Sequence, residues 1–394
     1  MLAHRSCLIT VLPYLRPGPE TTSLFRQRRE RMTSLTDHAD LVDLREVVDV
    51  VIGVDTHVHT HTAAVIDART GGVLEELTVA ADSAGYAELV ELADRHTPLR
   101  AWAIEGTGSH GAGLARVLGE RHEVVIELDR PVRAKRRNGA KSDPLDAVRA
   151  AREALSRPRL GTPRASGDRQ ALSVLITTRR SAVEAAGDAQ RQLFALVIAA
   201  PQRIRDRFAA QKLPAMVRTA ATLRVHPGQD AETTATITVL RSLARRIQAL
   251  AAEAAIHEKA IAAIVRSWRP DLLEETGIGP ISAAIVLCAW SHPGRIHSEA
   301  AFAMLAGAAP IPANSGQTTN RYRLNRHGDR QLNRALHTIA LTRQRHDQPT
   351  RDYTARRISE GKNPREIRRC LKRYIARDLY RRLENPRPTP LDQT

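Results

Sequence analysis

An α/β N-terminal domain followed by a helical coiled-coil segment and a mainly α C-terminal domain is the fold class that the sequence predicts. Three observations predict it. Short β-branched and alternating apolar runs, separated by turn residues, crowd the stretch from 47 to 128. Apolar residues at helical spacing then run through 168–199 and 237–268, and from 270 onward apolar helical segments are punctuated by Gly and Pro. At 394 residues the chain has room for two or three domains. We expect a disordered extension over 1–46, with Met32 an alternative start that leaves 1–31 untranslated, an α/β domain over 47–160, long helices over 161–269, a C-terminal domain over 270–385 and a tail over 386–394.

Residues 47–55 (VVDVVIGVD) read as a strand buried on both faces, and 61–67 with 73–79 read as a hairpin around Thr70-Gly71-Gly72. A helix over 83–95 places Tyr86, Leu89, Val90 and Ala93 on one face. A strand at 99–105, a helix at 110–121, a strand at 123–128 and a final helix from about 144 follow. The order β-β-β-α-β-α-β with a closing helix matches the ribonuclease H-like layout, a mixed sheet flanked by helices.

That layout converges acidic residues. Asp55 ends the first strand and Glu105 the fourth, which lies beside it in this layout, while Asp143 and Asp146 stand three apart at a helix start and face the same way. Four carboxylates around one pocket are costly without compensation, and hard divalent cations with oxygen ligands remove the cost, so a two-ion site of the Mg²⁺ type is expected, with Mn²⁺ as a substitute. Each residue has a plainer role open to it: Asp143 as N-cap before Pro144, Asp146 as a first-turn acid, Asp55 and Glu105 as polar strand ends. His57, His59 and His61 alternate and would share a face on a strand, but no Cys or carboxylate is spaced to complete a tetrahedral zinc site with them.

Within 237–268 the residues Leu240, Leu243, Ile247, Leu250, Ala254, His257, Ile261, Ile264 and Trp268 step by three and four, as in a coiled-coil seam. Either a second subunit or a helix of the same chain can fill such a seam, and we expect self-association. Thr276-Gly277-Ile278-Gly279-Pro280 between apolar segments has the pattern of a helix-hairpin-helix, whose glycines let backbone N–H groups approach a phosphate. An irregular loop at 309–316 leads through Asn314-Ser315-Gly316 into Arg321, Arg323 and Arg326, then into an amphipathic helix from Asp329. By spacing alone Asn-Ser-Gly is an ordinary turn, although a serine beside arginines can attack a phosphate.

The charge balance points to a polyanionic partner: 60 Lys and Arg against 43 Asp and Glu leave +17, with a pI near 10.7. The excess is patchy. Residues 130–141, which include Arg133, Lys135, Arg136, Arg137 and Lys141, carry six cations and no anion; 321–345 carry seven and one, and 355–382 eleven and three. All but six of the 60 cations are arginines, whose planar forks suit phosphate. Three scattered cysteines, Cys7, Cys288 and Cys370, form no metal or redox spacing and fit a reducing cytoplasm. The longest uncharged apolar run, Ile281 to Ser291, is about half of the roughly 20 residues that span a bilayer, so no membrane segment is expected.

As a set, these motifs resemble the one-ten family of bacterial insertion-sequence transposases, also called DEDD transposases or recombinases. The resemblance covers about 48–385: GVDTHVHTHTAAVID, IEGTGSHGAGLARVL and KSDPLDA are similar to the family's RuvC-like domain, and TGIGPISAA with LAGAAPIPANSGQTTNRYRLNRHGDRQLNRALHTIA to its second transposase domain. It implies that Asp55, Glu105, Asp143 and Asp146 are the metal ligands and that Ser315 is the catalytic serine, forming a covalent phosphoserine bond to one DNA end. Arg321 or Arg323 would offset charge on the reacting phosphate. The resemblance also implies donor and target DNA, a structured non-coding guide RNA, a bacterial cytoplasmic, nucleoid-associated protein, and a dimer or tetramer.

Two other functions compete. In a metal-dependent junction-resolving nuclease the same carboxylates activate water and Ser315 is only a turn residue. In a nucleic-acid-binding protein without catalysis the carboxylates are structural.

Overall fold

The computed structural model describes residues 43–128, 143–313, 322–325 and 327–385. They fall into two compact units divided between Arg164 and Ala165. The extension before 43, the tail after 385 and the basic run at 130–141 lie outside the described residues, apart from Asp43 to Glu46 at the extension's end.

The first unit begins with a short helix α1 (Leu44–Val47) and then builds one sheet from β1 (Val50–Thr56), β2 (Thr60–Asp67), β3 (Val73–Ala80), β4 (Arg100–Glu105) and β5 (Val125–Leu128), with helices α2 (Ser83–Asp94), α3 (Ala112–Glu120) and α4 (Asp143–Ser156). The sheet order is β3-β2-β1-β4-β5, antiparallel across the first three strands and parallel from β1 through β4 to β5. This mixed sheet is consistent with the ribonuclease H-like layout expected from the strand pattern.

Period-two alternation sorts each strand between two cores. Val51 of β1, Ala64 and Ile66 of β2, and Ala101 and Ala103 of β4 bury against α1 and α4, with Ala147, Val148, Ala151 and Ala154 opposite. Ile52, Val54, Val65, Trp102 and Ile104 point the other way, onto Leu89 and Leu92 of α2 and Leu114 and Leu118 of α3. At the base of β4, buried Arg100 is neutralised by Glu123 (Nε to Oε2, 3.0 Å) and Asp94 (2.7 Å), and Trp102 Nε1 donates to Glu123 (3.0 Å), so the Arg100 charge is not left alone.

In the second unit two long helices, α5 (Asp168–Ala199) and α8 (Ala231–Trp268), run antiparallel. Leu172 of α5 shares a core with Ile261 and Val265 of α8, whereas Leu193 and Val197 meet Ile237, Leu240 and Ile247. The predicted seam is therefore filled from within the chain, which removes the need for a second subunit to cover it. Helix α8 starts six residues before the expected 237, because Asp230 caps it by accepting from Thr233 N (2.7 Å), a local bond that outweighs the threonine-rich first turns. The connection is also more structured than the polar loop expected. It holds α6 (Gln202–Arg205), a 3-10 turn at Asp206–Phe208 and α7 (Leu213–Ala221), which bury Ile204, Phe208, Met216 and Ala220 under the end of the hairpin.

After a 3-10 turn at Pro270–Leu272 come α9 (Pro280–Trp290), α10 (Glu299–Leu305), β6 (Pro310–Pro312), β7 (Tyr322–Leu324), α11 (Arg330–His346), α12 (Gln348–Ser359) and α13 (Pro364–Glu384). Leu287, Trp290, Phe302, Leu336, Ile339, Leu371, Ile375 and Leu379 form their core, continuous with Leu172 and Val265 of the long helices. The helix-hairpin-helix is not confirmed: a 3-10 turn precedes the Gly loop where the pattern asks for its first short helix. The loop expected at 309–316 contributes β6, paired antiparallel with β7 at Ile311 and Arg323. Prolines at 310 and 312 hide such an edge strand from sequence patterning.

Candidate metal centre

Asp55 follows Val51 and Gly53 along the α4 face of β1. Gly53 is where α4 comes closest: a Cβ there would lie 2.0 Å from the Ala147 carbonyl oxygen. Only glycine permits that approach, and it sets the first turn of α4, which carries Asp143 and Asp146, beside the end of β1. The alanines at 147, 151 and 154 keep the rest of the helix equally near the sheet.

The side chains that meet there are Asp55, His57 and Asp143. His57 Nε2 lies 3.2 Å from Asp55 Oδ2 and 3.5 Å from Asp143 Oδ1, and one ligand atom from each of the three falls within 4.8 Å of the others. Asp146 is outside this trio and accepts from Arg149 Nη1 (2.6 Å), yet it is near enough to act on Asp55 electrostatically. Glu105 is also outside the trio. Its strand runs parallel to β1 in a register that pairs Val54 with Ile104, so Glu105 stands next to Asp55 in the sheet, on the face of Ala101 and Ala103. Thr56 Oγ1 donates to the Glu105 carbonyl (3.0 Å), tying the two strand ends together.

Burial pushes the Asp55 carboxyl above its usual range; His57 opposes this, and the carboxylates of Asp143 and Asp146 reinforce it. His57 Nε2 is buried and makes no hydrogen bond of acceptable geometry. A half-buried carboxylate repelled by its neighbours, together with an imidazole nitrogen that lies between two carboxylates without a well-formed hydrogen bond, is a donor set that a divalent cation fits. Oxygen ligands suit a hard ion, and its charge removes the repulsion.

His57 is the member that the sequence pattern passed over, since the alternation of His57, His59 and His61 suggested one shared face. The strand instead breaks into a turn in which His57 N donates to the Thr60 carbonyl (3.0 Å). His61 resumes on β2 facing away, buried and stacked on Tyr86 at 5.6 Å, while His59 is exposed. The signal that finds His57 is its position two residues after Asp55.

Gly277 adopts a positive φ of 88°, and a Cβ on it would come 3.1 Å from the Ile339 carbonyl. Arg343 Nε donates to the Thr276 carbonyl alongside (2.9 Å), so this turn is packed onto α11. Gly279 precedes α9 with open space around it. Arg323 is exposed on β7. Ser315, Arg321, Arg326, Arg133, Lys135, Arg136, Arg137 and Lys141 lie outside the described residues. Among the described residues no helix is long and apolar enough to cross a membrane.

A family model for DEDD transposases of the IS110 type matches residues 52–199, a span that holds Asp55, Glu105, Asp143 and Asp146. A second, described as the transposase IS116/IS110/IS902 family, matches residues 270–355, which include the β6–β7 pair and Ser315. No curated protein matches the chain. The acidic cluster, with the family matched, indicates use of a divalent metal and DNA as the partner. With both matches in order along one chain, one over the acidic centre and one over the C-terminal helices, the protein belongs to the IS110 family of DEDD insertion-sequence transposases and is a DNA transposase.

Proposed function

We propose that this transposase cuts and rejoins DNA at a Mg²⁺ site held by Asp55, Glu105, Asp143 and Asp146, with Ser315 as the nucleophile. The observation that carries the metal half is the meeting of Asp55, His57 and Asp143. Oxygen donors predominate there, which favours Mg²⁺ or Mn²⁺ over softer ions. When bound, the cation supplies charge neutralisation and Lewis acidity toward a phosphate. The chain's own residues do the rest. Asp143 and Asp146 hold their positions through α4, and Asp55 and Glu105 through paired strands. The serine hydroxyl loses its proton as its oxygen bonds phosphorus, and the departing DNA oxygen gains one. One phosphoester replaces another, so rejoining needs no ATP.

Ser315 rests on the family resemblance and on its place in the segment that joins β6 to β7, beside Arg321 and Arg323. Gly277 and Gly279 are proposed to touch nucleic acid at the edge of that domain, as are Arg326 and the basic residues Arg133, Lys135, Arg136, Arg137 and Lys141. A structured non-coding RNA from the same element is proposed to guide the reaction, which accords with arginine patches suited to backbones rather than base edges. Self-association into a dimer or tetramer is proposed to use surfaces other than the filled seam. Phe194 and Ile198, exposed one turn apart on α5, are one such surface.

The test is an incubation of protein, Mg²⁺, element-derived RNA and end-labelled donor and target DNA, resolved on denaturing gels. A protease-sensitive DNA adduct that disappears in Ser315→Ala supports the proposal. Free ends that Ser315→Ala still produces would instead identify a nuclease that activates water.

A further inference from the structure

Helices α11 and α13 pack antiparallel, with Asn333 opposite Lys372 and His337 opposite Arg368. Between them opens a cleft of about 350 Å³ lined by His337, Arg365, Arg368, Arg369 and Lys372. Among the described residues no carboxylate lines it. Glu366, the acid nearest in sequence, is turned away into the capping box of α13, where its Oε2 accepts from Asn363 N (2.9 Å). Among the described residues, none of the four Arg and Lys side chains has a salt-bridge partner, whereas Arg373 and Arg377 on the next face of α13 are both paired with Glu299. Crowding is severe enough to act on the groups themselves. Desolvation, then Lys372 and Arg368, hold the His337 imidazole below its usual value, and desolvation with Arg369 does the same to the Lys372 ammonium. Four like charges held in one cleft cost stability unless an anion occupies it.

The shape and position of the cleft select among anions. Arg365, Arg368, Arg369 and Lys372 follow one another over two turns of α13, a length of roughly 10 Å, which faces about three successive phosphates of one DNA strand. Among the described residues the lining has no Phe, Tyr or Trp, and so none of the platforms on which splayed RNA bases stack. Lys372 Nζ donates to Asn333 Oδ1 (2.8 Å), and Asn333 Nδ2 donates to the Ala306 carbonyl (2.7 Å). Next to Ala306, Gly307 packs against Gly328, closing the base of the segment that leaves through β6 and returns through β7. The cleft thus adjoins the foot of the β6–β7 pair, and the proposed nucleophile Ser315 falls between those strands in the sequence.

We infer that the cleft between α11 and α13 is a phosphate-backbone site for duplex DNA, gripping the strand beside the β6–β7 pair. This rests on the proposed serine chemistry only for its purpose; the binding itself is separately measurable.

The experiment measures affinity of the full chain for a mixed-sequence DNA duplex and for a mixed-sequence hairpin RNA over a series of KCl concentrations. The wild type is compared with Arg365→Gln/Arg368→Gln/Arg369→Gln, and with Arg203→Gln/Arg205→Gln/Arg207→Gln, which removes the same charge from exposed sites near α6. We expect the cleft variant to lower the steepness of log affinity against log salt for DNA by about 2 to 3, near 0.9 for each phosphate that is no longer neutralised. The arginines near α6 should leave the slope within about one of wild type. The corresponding triple Lys variant, which keeps charge and helix, should restore most of the slope and separates removal of charge from damage to the fold. An unchanged DNA slope, an equal loss in the α6 variant, or a loss confined to the RNA overturns the inference. Absence of a protein–DNA adduct in the wild type, with the DNA slope still lowered by the cleft variant, would count against the serine chemistry alone.

Discussion

Gly53 of β1 and Ala147 of α4 are packed backbone to backbone, with room for no atom beyond hydrogen on Gly53. This contact sits one turn of α4 beyond Asp143 and two residues before Asp55, so strand and helix are locked where their carboxylates converge. Gly53→Ala must push α4 outward, because the three atoms in the way, of Ala147 and Ala151, are all backbone. We expect a loss of about 1 to 3 kcal/mol, the usual cost of overpacking, together with weaker Mg²⁺ binding. Urea unfolding and calorimetric titration with Mg²⁺ check the two effects separately; a variant as stable as the wild type and with unaltered metal binding contradicts this view of the contact.

Asp55 carries a pH signature. Its folded carboxyl is raised above the usual value, chiefly by burial, so the native metal-free protein holds this proton to higher pH than the unfolded chain does. The contribution to stability is present below the unfolded value and is lost as pH rises through the folded one. Asp55→Asn is therefore expected to be more stable than the wild type at pH 7 in EDTA, and to show less loss between acidic and neutral pH. Melting curves across that range decide it.

Divalent metal should reverse that order. Mg²⁺ at about a hundred times its dissociation constant is expected to stabilise the wild type by about 2.7 kcal/mol and to leave Asp55→Asn nearly unmoved. Chelation should return the wild type to its metal-free melting temperature.

Asp143 and Asp146 differ in their surroundings, and their variants should differ too. Asp143 is in the trio with Asp55 and His57, whereas Asp146 is engaged by Arg149. Asp143→Asn is expected to lower Mg²⁺-dependent DNA cleavage by more than about 100-fold, the upper range for loss of a residue that merely supports a ligand. Binding of DNA should persist, since a negative charge has been removed. Parallel cleavage and binding assays distinguish this from misfolding.

The filled seam of α5 and α8 makes a further prediction. Leu240 is fully buried in the same chain's hairpin, so Leu240→Ala should cost about 2 to 5 kcal/mol, independent of protein concentration. Melting at two concentrations well apart tests it: a concentration-dependent change would mean that Leu240 is covered by a second subunit.

Much of the first unit was legible because its signals are local. The predicted strands and helices from 61 to 128 lie within about two residues of the observed ones, since alternation, β-branching and Gly-rich turns act over a few residues. The start of α4 at Asp143 was legible from Asp143-Pro144, and that of α11 from Asp329, which caps it by accepting from Leu332 N (2.9 Å). The short elements at 202–221 and the β6–β7 pair escaped notice because their stability comes from neighbours rather than from their own residues.

The sequence by itself determined the order of elements, the placement of Asp55 and Glu105 at strand ends, and the clustering of cationic charge. All follow from composition and periodicity along one stretch of chain. Only the tertiary structure decided that His57, not His61, joins Asp55 and Asp143, that the α8 seam is closed by α5, and that Arg365, Arg368, Arg369 and Lys372 share a cleft with His337. These outcomes depend on which distant segments come into contact, and close packing settles that through approaches such as Gly53 on Ala147, where a single methyl group would be too large.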